Sequence, residues 1–272
     1  MSITTQEVLA LRDLAERAAR QAGDHLRRRF GDSMAIGHKG AIDLVTEADH
    51  EAEELVVQAI RRERSGDQVL AEERGGEAGG AGARVRWIID PLDGTTNFAR
   101  WFPMFAVSVA AEVDGELAAG AVHVPMQEEL FAAGRGAGAT LNGRRIGVSQ
   151  VARLDESFLA TGFPYDIREN PDNNLDHFAR FSTRAMAIRR PGAAAVDLCY
   201  LACGRFDGFW ELRLKPWDLA AGTLIITEAG GRITGLDGSR LRLDGPGVCA
   251  SNGHIHDEML AVLAMSEHMS LR

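Results

Sequence analysis

Trp87-Ile88-Ile89-Asp90-Pro91-Leu92-Asp93-Gly94-Thr95-Thr96-Asn97-Phe98 is the stretch of this sequence around which the fold is organised. Its apolar start predicts a short buried strand that ends at Asp90. We expect the sheet to stop at Pro91, because proline has no N–H to donate to a neighbouring strand. Asp93 follows Asp90 by three residues. Two carboxylates on a turn that proline stiffens can therefore converge on one point.

Converging carboxylates indicate a metal site, because they repel each other unless a cation lies between them. The usual cation is a divalent metal ion with oxygen ligands. Gly94-Thr95-Thr96 then offers backbone N–H groups and hydroxyls that suit a phosphate group. The alternative is a strand followed by an ordinary turn, since Asp-Pro and Asp-Gly are common turn dipeptides.

Length and composition are typical of a soluble globular protein. The 272 residues suffice for one large domain or two closely fused halves, and 45% are hydrophobic while 25% are charged. No apolar run predicts a membrane helix, and the N-terminus lacks the pattern of a signal peptide. The net charge of −9 argues against general nucleic-acid binding. Cys199, Cys203 and Cys249 do not suggest disulfides, so we expect a cytoplasmic protein.

The first half of the chain predicts helices packed on an antiparallel sheet. Apolar spacing predicts helices over residues 5–29 and 49–64, with Asp49 as the N-cap of the second. A strand over residues 68–72 ends at Glu72, and the glycine-rich residues 75–84 predict a mobile loop over the site. Further strands are expected over residues 104–112, 116–124 and 129–133, with turns at Asp114-Gly115 and Asn142-Gly143.

From about residue 157 the pattern changes to alternating strands and helices. We expect strands over residues 158–161, 186–188, 208–211 and 247–251, and helices over 174–185, 193–203 and 219–228 before a C-terminal helix. Asp218 precedes the helix at 219–228, and taken alone it would be an N-cap. The change divides the chain into an N-terminal half, residues 1–155, and a C-terminal half, residues 156–272, fused as one functional unit.

Several separated motifs together resemble the inositol monophosphatase family, which belongs to a superfamily of lithium-sensitive, magnesium-dependent phosphatases. They are residues 43–49 (Asp-Leu-Val-Thr-Glu-Ala-Asp), the pair Glu72-Glu73, residues 87–98 and residues 217–222 (Trp-Asp-Leu-Ala-Ala-Gly). The resemblance implies a mixed α/β sugar-phosphatase fold, built as a layered α-β-α-β-α sandwich. Its N-terminal sheet would be largely antiparallel, and its C-terminal half would be α/β.

The resemblance also implies the metal ligands. Glu72, Asp90 and the backbone carbonyl of Leu92 would hold one Mg²⁺. Asp90, Asp93 and Asp218 would hold a second, with Asp90 bridging the two ions. A third ion near Glu72 belongs to the same expectation, which makes two or three Mg²⁺ ions in all.

The implied catalytic residues are Asp49, Thr95 and Glu72. Asp49 and Thr95 would orient and deprotonate the attacking water, and the N–H groups of Gly94 and Thr95 would bind the phosphate. Magnesium is needed because a phosphate monoester dianion repels a nucleophile, and its uncatalysed hydrolysis is extremely slow.

By the same resemblance, the leaving alcohol would be contacted by Gly192, Ala193, Ala194 and Glu211, beside Asp93 and Asp218. Two departures from the family pattern concern this group. Ala193 replaces a hydroxyl residue, and Pro191 precedes the glycine. As an alternative, Glu211 could pair with Arg205 or Lys215 and be structural.

The activity that the resemblance implies is hydrolysis of myo-inositol 1-phosphate by a homodimer that lithium inhibits. Other members of the superfamily cleave fructose 1,6-bisphosphate, histidinol phosphate or 3′-phosphoadenosine 5′-phosphate, and the metal motifs do not separate these substrates. Some bacterial relatives bind the transcription machinery, which would be an added role beside catalysis. The expected partners are a small phosphate monoester and a second copy of the chain, with no membrane and no general nucleic-acid binding.

Overall fold

The structure is a computed structural model that describes residues 3–32, 36–38, 44–77 and 82–265. In these ranges the α-helices are α1 (Thr5–Arg29), α2 (Glu47–Glu63), α3 (Thr95–Ala99), α4 (Leu175–Ser182), α5 (Ala194–Ala202), α6 (Pro216–Glu228) and α7 (His256–Leu263). The β-strands in the same ranges are β1 (Ile36–His38), β2 (Leu44–Thr46), β3 (Gln68–Ala71), β4 (Gly75–Glu77), β5 (Val85–Asp93), β6 (Ala106–Val113), β7 (Glu116–Val124), β8 (Glu129–Gly134), β9 (Gly138–Leu141), β10 (Arg144–Arg145), β11 (Phe158–Thr161), β12 (Ala187–Arg189), β13 (Gly208–Leu212), β14 (Arg232–Thr234) and β15 (Gly247–Ser251). No helix within this part of the chain is both long enough and apolar enough to cross a membrane.

The larger sheet has eight strands in the order β10-β9-β8-β7-β6-β5-β3-β4. Its neighbouring strands are antiparallel, except for the parallel pair β3 and β5. Every residue of β6 is buried, because helices cover both faces of this sheet. Asp114 and Gly115, with φ of 54° and 81°, form the predicted hairpin turn between β6 and β7.

The smaller of the two main sheets completes a five-layered structure, while β1 and β2 pair separately as a two-stranded sheet. Its five strands run in the order β12-β11-β13-β15-β14, with β11 parallel to β12 and β13 and the remaining pairs antiparallel. Helices α5 and α6 pack between the two sheets. Helices α1 and α2 cover the outer face of the larger sheet, and α4 and α7 cover that of the smaller one. This α-β-α-β-α order confirms the predicted fold class.

Several predicted elements have the expected bounds. Helix α1 spans residues 5–29 as predicted, and the Thr4 hydroxyl accepts a hydrogen bond from the N–H of Glu7 at 3.2 Å. The predicted strands at 116–124, 158–161 and 247–251 are β7, β11 and β15. The three cysteines are unpaired, as expected.

The prediction that the sheet stops at Pro91 is wrong. Strand β5 continues to Asp93. Its pairing with β6 is interrupted after Asp90 and resumes between Asp93 and Ala106. This irregularity accommodates the missing N–H of proline, and a bulge of this kind re-aims the side chains on either side of it.

Two helix starts and one loop also differ from the predictions. Helix α2 begins at Glu47 and α6 at Pro216, so neither Asp49 nor Asp218 is an N-cap. Each is the third residue of its helix, because a threonine ahead of α2 and a proline at the start of α6 begin the helices earlier. Residues 75–77 of the predicted loop form β4, which pairs with β3, while residues 78–81 lie outside the described residues.

Candidate active site

A cavity of about 440 Å³ lies where the carboxyl end of β5 meets the first turns of α5 and α6. Its walls include every predicted site residue except Asp49, namely Glu72, Asp90, Leu92, Asp93, Gly94, Thr95, Gly192, Ala193, Ala194, Glu211 and Asp218. These residues come from both halves of the chain. The fold therefore brings the separated motifs to one place.

Strand β5 and its bulge present the central acidic groups. The Asp90 Oδ1 atom accepts a hydrogen bond from the Leu92 N–H at 3.0 Å. The Asp93 oxygens accept hydrogen bonds from the N–H groups of Ala194 at 3.1 Å and Ala195 at 2.8 Å. These N–H groups begin α5, so a carboxylate of the larger sheet satisfies the N-terminus of a helix in the other half.

Asp49 lies behind the cavity wall and is fully buried. Its Oδ2 atom accepts hydrogen bonds from the Thr46 N–H at 2.8 Å and the Thr46 hydroxyl at 2.6 Å. The Thr95 hydroxyl lies 2.9 Å from Asp49 Oδ1 and 3.1 Å from the Leu92 carbonyl oxygen. Asp49 thus combines a capping contact at the start of α2 with a direct contact to a residue that lines the cavity.

Glu72 and Asp218 complete the acidic group from two other elements. The turn that carries Glu72 is held on α2, because Glu53 accepts a hydrogen bond from the Glu73 N–H at 2.8 Å and pairs with Arg74 at 3.0 Å. Asp218 Oδ2 accepts a hydrogen bond from the Lys215 N–H at 2.7 Å. The backbone that carries each of these two carboxylates is therefore held in place by hydrogen bonds.

Burial and mutual repulsion raise the pKa values of the three aspartates at the cavity, Asp90, Asp93 and Asp218. The pKa of Asp90 lies well above its usual range, first because of burial and then because Glu72, Asp93 and Asp218 are near. Burial also raises the pKa of Asp93 to about 7, although the N–H groups of α5 oppose the shift. It raises the pKa of Asp218 to about 7 as well. Full ionisation of the group is unfavourable unless a cation offsets the charge.

The donor set fits a hard divalent cation. Several carboxylates and the Leu92 carbonyl face one small cavity, and Mg²⁺ prefers oxygen ligands of this kind. Among the described residues, however, no three acidic, histidine or cysteine side chains form a ready-made metal-binding group. Side-chain rotations would therefore be needed to surround an ion, and the predicted ligand set stays a prediction.

Glu211 lies in the cavity wall, and Arg205, one of the two partners in the structural alternative, is not paired with it. Arg205 instead pairs with Glu129, through Nη1 at 2.7 Å from Oε2. The Glu211 carboxyl packs directly against Gly162. Burial raises the pKa of Glu211 to about 8, and the nearby Asp218 and Asp93 add to the shift.

Sequence reasoning missed Asp197, Arg190 and residues 162–166, all of which line the cavity. Asp197 is 1% exposed, and its Oδ1 atom has no hydrogen-bond partner. Burial, followed by the charges of Glu211 and Asp93, holds its pKa well above the usual range. An acid within the apolar run Ala194–Ala202 was the available signal, because such residues are rarely buried without a function or a partner.

The sequence matches the inositol monophosphatase family over residues 7–268. The chain belongs to this family. An inositol-1-monophosphatase of Synechocystis sp. is 43% identical over 253 residues, which are 93% of this chain and 88% of the relative. A Nus factor SuhB of Pseudomonas aeruginosa is 42% identical over 256 residues, 92% of this chain and 94% of that protein. The structure of an inositol monophosphatase from Anabaena (Nostoc) sp. matches with a TM-score of 0.86 and 40% identity, and the match covers 94% of this chain and 95% of the other.

Membership confirms the resemblance and places the chain in a family of metal-dependent phosphatases, typically with Mg²⁺. The relatives carry two different names at almost the same identity. The comparisons therefore support phosphatase activity without separating one substrate from another.

Proposed function

We propose that the protein catalyses Mg²⁺-dependent hydrolysis of a small phosphate monoester, with myo-inositol 1-phosphate as the leading substrate. The observation that carries this proposal is the convergence of Glu72, Asp90, Asp93 and Asp218 on one cavity beside the Asp49–Thr95 pair. A turn or a helix cap would explain each acid alone. It would not explain why acids from the turn after β3, from β5 and from α6 line one cavity, or why Asp90 and Asp93 are buried there at a cost in free energy.

The acids and one carbonyl would hold the ions. Glu72, Asp90 and the Leu92 carbonyl form one candidate set, and Asp90, Asp93 and Asp218 form the other. Bound Mg²⁺ would neutralise the phosphate oxygens, lower the pKa of a coordinated water and stabilise the leaving alkoxide.

The attacking water would be oriented by Thr95 and Asp49. With an ionised Asp49, the Thr95 proton points to Asp49 Oδ1, and the hydroxyl oxygen keeps lone pairs that can accept a proton from water. Asp49 holds this orientation because its other oxygen is already bonded to Thr46. This pair therefore supplies a route for the proton that the water loses.

The phosphate would bind at Gly94 and Thr95. Gly94 has φ of 93°, and a Cβ atom there would lie 3.0 Å from the Met104 carbonyl oxygen and 3.3 Å from Ala193 Cβ. A side chain at this position would be strained and would crowd the cavity wall. Glycine thus leaves the adjoining N–H groups accessible to phosphate oxygens.

Glu211 would accept hydrogen bonds from hydroxyl groups of the leaving alcohol. It is buried on β13 in the wall of the same cavity. A buried carboxyl that packs against Gly162 has a defined place from which to bind a hydroxyl. An aryl ester has no such hydroxyl, which makes it a useful reference substrate.

A phosphate-release panel tests the proposal with the purified chain in Mg²⁺. The esters are myo-inositol 1-phosphate, fructose 1,6-bisphosphate, histidinol phosphate, 3′-phosphoadenosine 5′-phosphate and an aryl phosphate. We expect the highest kcat/KM for the inositol ester and a large loss in Thr95→Val, which keeps the side-chain shape and removes the hydroxyl. A higher kcat/KM for another ester would make that ester the leading substrate in place of myo-inositol 1-phosphate. No phosphate release from any ester would overturn the proposal.

A second candidate is the added binding role, which the name Nus factor SuhB of similarly close relatives favours. Affinity capture with wild type and Asp218→Asn separates the two functions. A binding role predicts the same transcription proteins on both baits, although only one bait is active. Absence of these proteins from both baits would count against it.

A further inference from the structure

Residues 162–174 form a surface loop that begins in the wall of the candidate site. The loop leaves β11 after Thr161 and ends at Asn174, directly before α4. Its first part, residues 162–166, lines the cavity together with Glu211. Compact loops whose ends lie close together often carry function.

Asn174 closes this loop at its neck. Its Nδ2 atom donates hydrogen bonds to the Gly162 carbonyl at 2.6 Å and the Thr161 hydroxyl at 2.9 Å. Asn174 is only 3% exposed and has φ of 74°, a left-handed conformation that asparagine tolerates better than most residues. The two ends of the loop are therefore joined by one buried side chain.

The neck is also fixed to the strand that carries Glu211. Trp210, the preceding residue, donates a hydrogen bond from Nε1 to Asn174 Oδ1 at 2.7 Å. The Thr161 hydroxyl donates to the Trp210 carbonyl at 2.6 Å. The Trp210 ring is itself stacked on Phe181, with centroids 4.1 Å apart. A displacement of Asn174 would thus be transmitted directly to the backbone beside Glu211.

A second tie holds the loop on the other side of Glu211. Arg213 lies 3.0 Å from Asp166 Oδ1 and also donates to the Asp172 carbonyl. The loop is consequently attached to β13 and its continuation at residues 210 and 213. Glu211 lies between these attachments, with its carboxyl against Gly162.

We propose that the loop of residues 162–174 is the specificity element of this site and that Asn174 is its positioning residue. Asn174 sets the place of Gly162, and Gly162 sets the place of the Glu211 carboxyl and of the wall that the alcohol portion of the substrate meets. This inference rests on the proposed function, because it assigns recognition of the alcohol to the loop. Asn174 itself contacts neither the substrate nor the reacting atoms.

Asn174→Gly tests the proposal, because glycine keeps the left-handed backbone and removes the side chain that carries the amide. We expect kcat/KM for a polyol phosphate to fall roughly tenfold, equivalent to about 1.4 kcal/mol, mainly through KM. Turnover of an aryl phosphate should stay within about twofold. In a Glu211→Gln background, Asn174→Gly should add little further loss, since both changes act through the same carboxyl.

Asn142→Gly is the matched control. Asn142 is also left-handed, with φ of 49°, and its side-chain amide also joins separate parts of the chain, by hydrogen bonds to the Leu130 N–H and the Glu128 carbonyl. It does not line the cavity. Its substitution should leave the ratio of polyol to aryl turnover unchanged, even if the melting temperature falls.

Two further measurements keep the inference falsifiable if Asn174→Gly folds poorly or if the proposed function fails. Arg213→Gly removes the second tie, keeps the left-handed backbone at φ of 59° and should shift the same ratio. Hydrogen exchange of residues 162–174 should quicken in both variants whether or not the protein cleaves any ester. The proposed function itself is tested only by the turnover of the esters by the wild-type protein. Unchanged exchange, an equal loss on both esters, or additive losses with Glu211→Gln would overturn the role of Asn174.

Discussion

Gly162→Ala is the substitution whose effect follows most directly from the geometry of the site. A Cβ atom at this position would lie well inside 3.0 Å of both Glu211 carboxyl oxygens and of Cδ, whereas ordinary contacts begin near 3.4 Å. The backbone of Gly162 is not left-handed, so alanine introduces no backbone strain. The carboxyl must therefore move by at least about 1 Å to restore normal contacts.

A shift of this size is enough to break a hydrogen bond to a substrate hydroxyl. A bond of about 2.8 Å would lengthen to about 3.8 Å, which is beyond hydrogen-bond reach. Loss of one buried hydrogen bond costs about 1–3 kcal/mol, which corresponds to a roughly 5- to 150-fold fall in kcat/KM. The fall is expected for myo-inositol 1-phosphate and not for an aryl phosphate, which has no hydroxyl to lose.

Steady-state phosphate release on both esters measures the effect, with a melting curve for each variant. Gly66→Ala is the control, because a Cβ atom at Gly66 would meet nothing within 4 Å and its backbone is also not left-handed. Equal turnover losses on the two esters would refute the reasoning, since they would place the damage outside alcohol recognition. Unchanged turnover of the inositol ester would show that Glu211 has room to move without consequence.

Three further predictions concern the acids. Asp218→Asn should fold normally, because the amide oxygen can still accept a hydrogen bond from the Lys215 N–H. Its activity should fall at least about a hundredfold and be partly rescued at high Mg²⁺. Near-normal activity at low Mg²⁺, measured in a Mg²⁺ titration, would mean that Asp218 is only a capping residue. Saturating Mg²⁺ should raise the melting temperature, because an ion that binds the acids only in the folded protein favours folding. Exhaustive chelation should abolish phosphate release. Full activity in the presence of chelator would contradict the metal mechanism. In chelator, the pKa of Glu211 at about 8 means that the folded state keeps a proton that the unfolded state loses above about pH 4.5. Stability should therefore fall as pH rises from about 4.5 to about 8, and Glu211→Gln should make the melting temperature fall less steeply over that window, so parallel pH profiles would contradict the assignment.

Local sequence patterns determined much of the secondary structure. The apolar spacing of residues 5–29 predicts α1 with its observed bounds, and the Asp114-Gly115 pair predicts the hairpin between β6 and β7. Both features depend on residues close together in the chain. Hydrophobic period, capping and turn chemistry therefore suffice to specify them.

The identity of the candidate site residues also came from the sequence, although through resemblance. Spacing alone predicts Asp49 and Asp218 as helix N-caps, and it therefore places the start of each helix about one turn too late. The structure puts each at the third position of its helix, where one carboxylate oxygen bonds the backbone of Thr46 or Lys215. A residue in such a position can satisfy a helix end and still face a site.

What only the tertiary structure decided is how distant groups share one space. Asp93 accepts hydrogen bonds from the N–H groups of Ala194 and Ala195, which lie about a hundred positions along the chain. Asn174, directly before α4, accepts a hydrogen bond from Trp210 of β13. No local pattern specifies such contacts, because they depend on how the two sheets stack around α5 and α6. The same stacking takes Glu211 and Asp197 out of water and raises their pKa values. The sequence determined which chemical groups the chain carries, and the packing of its layers decided which of them meet and in what state of charge.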